Sequence, residues 1–128
     1  MTSAVRKPLP DTRNSITKKI TIKYAEPTGT GLSEIDIYAT VGLYDDGTPG
    51  EIFIKAGKMG GTISGLLDGI GILASIAMQY GMPLAEITSH FRNMRFEPSG
   101  PTNDPDIRAT SILDAVARWL EKKFPCSP

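Results

Sequence analysis

The stretch with the strongest chemical suggestion is Lys58-Met59-Gly60-Gly61-Thr62-Ile63-Ser64, a glycine-rich turn that runs into a helix. Unpaired backbone N–H groups at a helix start, the positive end of the helix dipole and a nearby ammonium can together hold a phosphate or carboxylate. Lys58, Gly60, Gly61, Thr62 and Ser64 are therefore candidate anion- or nucleotide-binding residues. The Lys precedes the glycines, which is not the spacing of a P-loop. A tight turn with Thr62 as an ordinary N-cap is the commoner meaning of such a stretch. A second candidate is electrostatic. Residues 1–24 carry Arg6, Lys7, Arg13, Lys18, Lys19 and Lys23 against one acid, a net charge of +5, and the remainder of the chain carries −5. Such a basic end can meet a nucleic-acid backbone, an acidic partner, or the acidic body of its own molecule. A solvated or self-docked arm is the commoner outcome.

No catalytic set can be assembled beside these. His90 is the single histidine, and Asp68, Glu97 and Asp114 lack the spacing of a carboxylate pair. Ser64, Ser75, Ser99 and Ser111 lie outside any nucleophile-elbow context. Cys126 is the single cysteine, which excludes an internal disulfide or a thiol pair. The residues point to no catalytic group, no metal site and no cofactor.

The elements that would position these groups follow from composition and periodicity. With 128 residues, 40% of them apolar and 22% charged, the chain has the size and make-up of one globular domain. The most hydrophobic stretch, Gly60 to Tyr80, is interrupted by Asp68 and several glycines. No membrane span is expected, and Met1 to Pro10 lacks the apolar core of a signal peptide. A cytoplasmic location is the expectation.

Met1 to Asn14 reads as a flexible basic arm, 15–124 as a single domain and 125–128 as a tail. Ile16, Ile20, Ile22 and Tyr24 alternate with Thr17, Lys19, Thr21 and Lys23, and Ile35 to Leu43 alternates likewise, which predicts two half-buried strands. Asp45 to Gly50 is a cluster of turn formers that returns the chain into a third strand over Glu51 to Lys55. From Thr62 a period of 3.6 places Ile63, Leu66, Leu67, Ile70, Leu73, Ala74, Ala77 and Met78 on one face of a helix that Gly81 ends. Gly65 and Gly69, four apart, would allow a sheet or a partner chain to approach closely. A second helix begins near Pro83, with Leu84, Ile87 and Phe91 inward, and a third runs from about Asp106 to Phe124. Met94 to Phe96 could add a short strand. The expected fold is α+β with two layers, a three-stranded antiparallel meander followed by three helices.

Several stretches then look familiar together: Leu9 to Thr17 (LPDTRNSIT), Val41 to Ile54 (VGLYDDGTPGEIFI), Gln79 to Leu84 (QYGMPL) and Arg95 to Gly100 (RFEPSG). In this order they resemble the TSCPD domain, the C-terminal region of adenosylcobalamin (vitamin B12)-dependent class II ribonucleotide reductases. The resemblance spans nearly the whole chain. The name-giving motif corresponds to Thr110-Ser111-Ile112-Leu113-Asp114, with Ile-Leu in place of Cys-Pro. The resemblance implies a stand-alone, non-catalytic accessory protein that contacts a ribonucleotide reductase or copies of itself. The family's radical-bearing barrel, cobalamin site and nucleotide sites lie outside the matching region, so no catalytic residue carries over. Nucleic-acid or nucleotide binding through the basic arm and strand face is the other expectation.

Overall fold

The fold is taken from a computed structural model of the protein, which describes residues 5–26, 29, 31–57 and 60–125. Three strands come first: β1 (Ser15–Ala25), β2 (Leu32–Leu43) and β3 (Pro49–Ala56). They form an antiparallel meander in the order β1-β2-β3, with Ile20 opposite Ile37 and Val41 opposite Ile52. Period-two alternation sends Ile20, Ile22, Ile35, Ile37, Ala39, Val41, Ile52 and Ile54 into the core. The β2–β3 turn forms as its residues dictate. Gly47 takes φ +85°, and the Asp46 carboxylate accepts from the Thr48 amide at 3.0 Å and its hydroxyl at 2.6 Å.

Three helices follow, α1 (Gly61–Gln79), α2 (Leu84–Phe91) and α3 (Ile112–Lys123). Gly81, at φ +105°, ends α1 as expected. Ile87 is buried, with Leu84 and Phe91 packed against the core. Helix α3 starts at Ile112 rather than near Asp106. The intervening chain instead forms a two-residue ribbon, β4 (Gly100–Pro101) paired with β5 (Arg108–Ala109). Met94 to Phe96 is not a strand: Met94 N–H closes a turn on Phe91 O at 3.2 Å, and Phe96 N–H makes a single long-range bond to Thr110 O at 3.2 Å. Ile112, Leu113, Val116, Trp119 and Leu120 of α3 join the same core as the sheet's inner face.

Helix α1 departs from the expected orientation. Its buried stripe is Leu67, Gly71, Ala74, Ser75, Met78 and Gln79, whereas Leu66, Ile72 and Leu73 are 60%, 56% and 71% exposed. The reason is where the helix docks. Ser75 Oγ bonds both backbone groups of Ile52, 2.9 Å from its N and 3.2 Å from its O, and Gln79 Nε2 donates to Gly50 O at 3.0 Å. These are groups on the free edge of β3, which pairs with β2 on its other side. Residues 67, 71, 75 and 79, spaced by four, thus form the strip that covers a sheet edge. By length and composition α1 could also cross a bilayer, contrary to the sequence expectation.

The opposite edge, on β1, is covered by the chain after β4. Asn103 substitutes for a strand: its Oδ1 accepts from Thr21 N at 3.1 Å, its Nδ2 donates to Lys19 O at 3.0 Å, and its own N–H donates to Thr21 O at 3.1 Å. Both edges of the sheet are therefore closed by side chains as much as by backbone.

Candidate functional site

Four parts of the surface or near-surface carry chemistry. The first is the start of α1. The N-cap is Gly60, in extended conformation and with no side-chain cap, so Thr62 lies inside the first turn rather than capping it. Ser64 N–H bonds back to Gly60 O at 3.2 Å. Gly60, Gly61, Thr62 and Ser64 are thus brought together at a helix N-terminus with no acidic residue in its first turn. Lys58 lies outside the described residues.

The second is the set of basic residues, which the structure disperses. Arg6 Nε donates to Gln79 Oε1 at 2.7 Å, and Lys7 N–H donates to Gln79 O at 2.8 Å. The Lys7 ammonium stands 4.6 Å from the centre of the Tyr44 ring, whose hydroxyl donates to Lys7 O at 2.6 Å. Arg13 grips Glu51 with two hydrogen bonds, 2.5 and 3.0 Å, which holds its guanidinium above its ordinary pKa. The described part of the arm is folded back on the body. Lys19 and Lys23 lie on the sheet's outer face, but Lys19 is 3.7 Å from Asp36 and Lys23 sits opposite Glu34. Lys18 has the parity of the inward face of β1. Six charges adjacent in sequence do not make one basic patch.

The third is the outward side of α1. Leu66, Ile72 and Leu73 stand exposed beside Gly65 and Gly69, around which there is open space. The one charge in the helix, Asp68, is bound by Lys55 at 2.6 Å. This leaves an apolar, neutral face on the outward side of the helix.

The fourth is the start of α3, where the Thr110-Ser111-Ile112-Leu113-Asp114 motif has a purely mechanical geometry. Ser111 Oγ accepts from Asp114 N at 3.0 Å as the N-cap. Asp114, fully buried, accepts from Asn93 N at 2.7 Å, Thr110 N at 3.0 Å and Arg118 Nε at 3.0 Å. Burial pushes its pKa up, but the bonds from Asn93, Thr110 and Arg118 outweigh it and leave the carboxyl below its ordinary value. Thr110 Oγ1 donates to Met94 O at 2.7 Å. Ile112 and Leu113, where the motif's name would have Cys and Pro, are buried in the core. Sequence reading missed the cleft beside this motif, lined by Arg95 and Arg108 among others. The signal was present in RFEPSG, but Arg108 is thirteen positions further on. Among the described residues no group of three or more His, Cys, Asp or Glu is placed to hold a metal.

Comparison with known proteins agrees with the sequence resemblance. The family model of the TSCPD domain matches residues 6–124. The vitamin B12-dependent ribonucleotide reductase of Rhodopirellula baltica is 49% identical over 120 residues, which is 93% of this chain and 11% of that protein. The protein of the same name from Streptomyces clavuligerus is 43% identical over 94% of this chain and 12% of its own length. That from Bradyrhizobium diazoefficiens is 38% identical over 93% and 9%. The chain thus spans about a tenth of the length of these relatives. No solved structure matches it.

Proposed function

The chain belongs to the TSCPD domain family, and from that premise we propose that it is a non-catalytic accessory domain acting by protein contact, with a ribonucleotide reductase or with copies of itself. The observation that carries this reading is the match of nearly the whole chain to about a tenth of much longer reductases. Those relatives are far longer than the matching domain, and an exposed apolar patch is one mark of a surface that packs on a neighbour. The outward side of α1, with Leu66, Ile72 and Leu73 exposed, has that character. In support of a non-catalytic role, the motif residues Thr110, Ser111 and Asp114 are engaged in holding the start of α3. Affinity purification of the tagged protein from cells that contain a B12-dependent ribonucleotide reductase should recover the reductase. Recovery of no reductase component, together with a monomeric mass in solution, would remove the proposal.

A further inference from the structure

Four of the six arginines have a side-chain partner: Arg6 with Gln79, Arg13 with Glu51, Arg92 with Glu121, and Arg118 with Asp114. Arg95 and Arg108 have no carboxylate within ion-pair distance among the described residues, and both line one open cleft of about 390 Å³. The lining thus carries two exposed guanidinium groups against the single carboxylate of Glu97, and its net positive charge favours a bound anion.

The cleft is built rather than incidental. Its two walls are the chain after α2, carrying Arg95 and Phe96, and the chain at β5, carrying Arg108 and Thr110. Three links tie these walls together. Phe96 N–H bonds Thr110 O at 3.2 Å, Thr110 Oγ1 bonds Met94 O at 2.7 Å, and the buried Asp114 carboxylate holds Asn93 N and Thr110 N at once. The backbone that presents the two arginines is therefore organised before any ligand arrives, which lowers the ordering cost of binding. The volume lies within the range of small-molecule sites. Phe96 is 41% exposed and offers a flat apolar surface, and Glu97 in the same lining offers a hydroxyl acceptor.

We infer that this cleft binds a phosphate-bearing small molecule with a flat ring, of the mononucleotide class. The phosphate sits with Arg95 and Arg108, the ring lies on Phe96, and Glu97 accepts from a sugar hydroxyl. This inference stands independently of the protein-contact reading, since the cleft and the outward side of α1 share no residue.

The test is isothermal titration calorimetry at low ionic strength with AMP, inorganic pyrophosphate and succinate, on wild type, R95Q/R108Q and F96L. Wild type should bind AMP and pyrophosphate, and R95Q/R108Q should weaken both by about tenfold or more, the loss expected for charge-assisted hydrogen bonds. F96L should weaken AMP and leave pyrophosphate unchanged. Both variants alter exposed side chains, and an unchanged thermal midpoint shows that they remain folded. No heat from AMP or pyrophosphate with wild type, equal binding by R95Q/R108Q, or succinate binding as tightly as pyrophosphate would each overturn the phosphate site. Equal AMP binding by F96L would overturn the placement of the ring.

Discussion

Asp114 shows how a short polar motif can act without chemistry. It lies fully buried, yet every bond it accepts favours the charged form, so it ties the turn at Asn93, the strand end at Thr110 and the helix residue Arg118 to one point. Asn93 has φ +69°, and the Asp114 bond to its amide holds that turn in place. Replacing the carboxylate leaves two part-buried amides and a guanidinium with fewer partners. D114A should therefore lose about 3 kcal/mol in urea denaturation at neutral pH. The pH dependence has a definite sign. The folded carboxyl titrates below its ordinary value of 3.8, so its contribution is whole above that pH and is lost as pH falls through the lower folded value. The stability difference between wild type and D114A should narrow only below about pH 4, and a difference that already shrinks near pH 6 would contradict this account. The Thr, Ser and Asp of the motif were legible in the sequence. The partner turn was not, because Asn93 is 21 positions away and nothing local connects it to Asp114.

At the scale of the element, α1 is decided by a strand edge. Gly71 lies against Ile52, and an added Cβ would stand 3.0 Å from Ile52 O, whereas Gly65 and Gly69 have nothing within 4 Å. Gly71 should therefore answer differently to alanine from Gly65 and Gly69. G65A should gain roughly 0.5–1 kcal/mol from helix propensity, and G71A should lose that gain to the tight contact. Thermal or urea denaturation of the two variants checks this, and equal gains would mean that α1 does not rest on β3 as described. The extent of the helix was legible, from Thr62 to the Gly81 stop. Its orientation was not, because a helix apolar on nearly all sides gives periodicity little to choose between. The choice fell to the small and polar stripe Gly71, Ser75 and Gln79, which can satisfy the backbone of Ile52 and Gly50 as leucines cannot.

For the whole molecule, that orientation transfers apolar surface from the core to the outside. Leu66 and Leu73 project from a helix whose single charge is already bound by Lys55, while the basic arm is spent on Gln79, Glu51 and Tyr44. The molecule offers a partner an apolar face more than a charged one. L66E/L73E should abolish recovery of a reductase or reduce a self-associated species to monomer. Its unfolding free energy should stay within about 0.5 kcal/mol of wild type, as for exposed positions generally. A variant that folds and still associates as wild type does would move the contact to another face.

Alternation of Ile and Val with Thr, Lys and Asp was enough to determine the three-strand meander, because a half-buried strand must repeat with period two. The turn at Asp46 and Gly47 was determined in the same way, since few residue types satisfy its dihedrals and hydrogen bonds. The family was legible too, carried by motifs along nearly the whole chain. Which face α1 buries, where six basic residues go, and which two arginines share a cleft were decided only in three dimensions. Each of these depends on groups far apart in the chain, and a long-range hydrogen bond to an edge carbonyl or a buried carboxylate leaves no periodic trace in the residues around it.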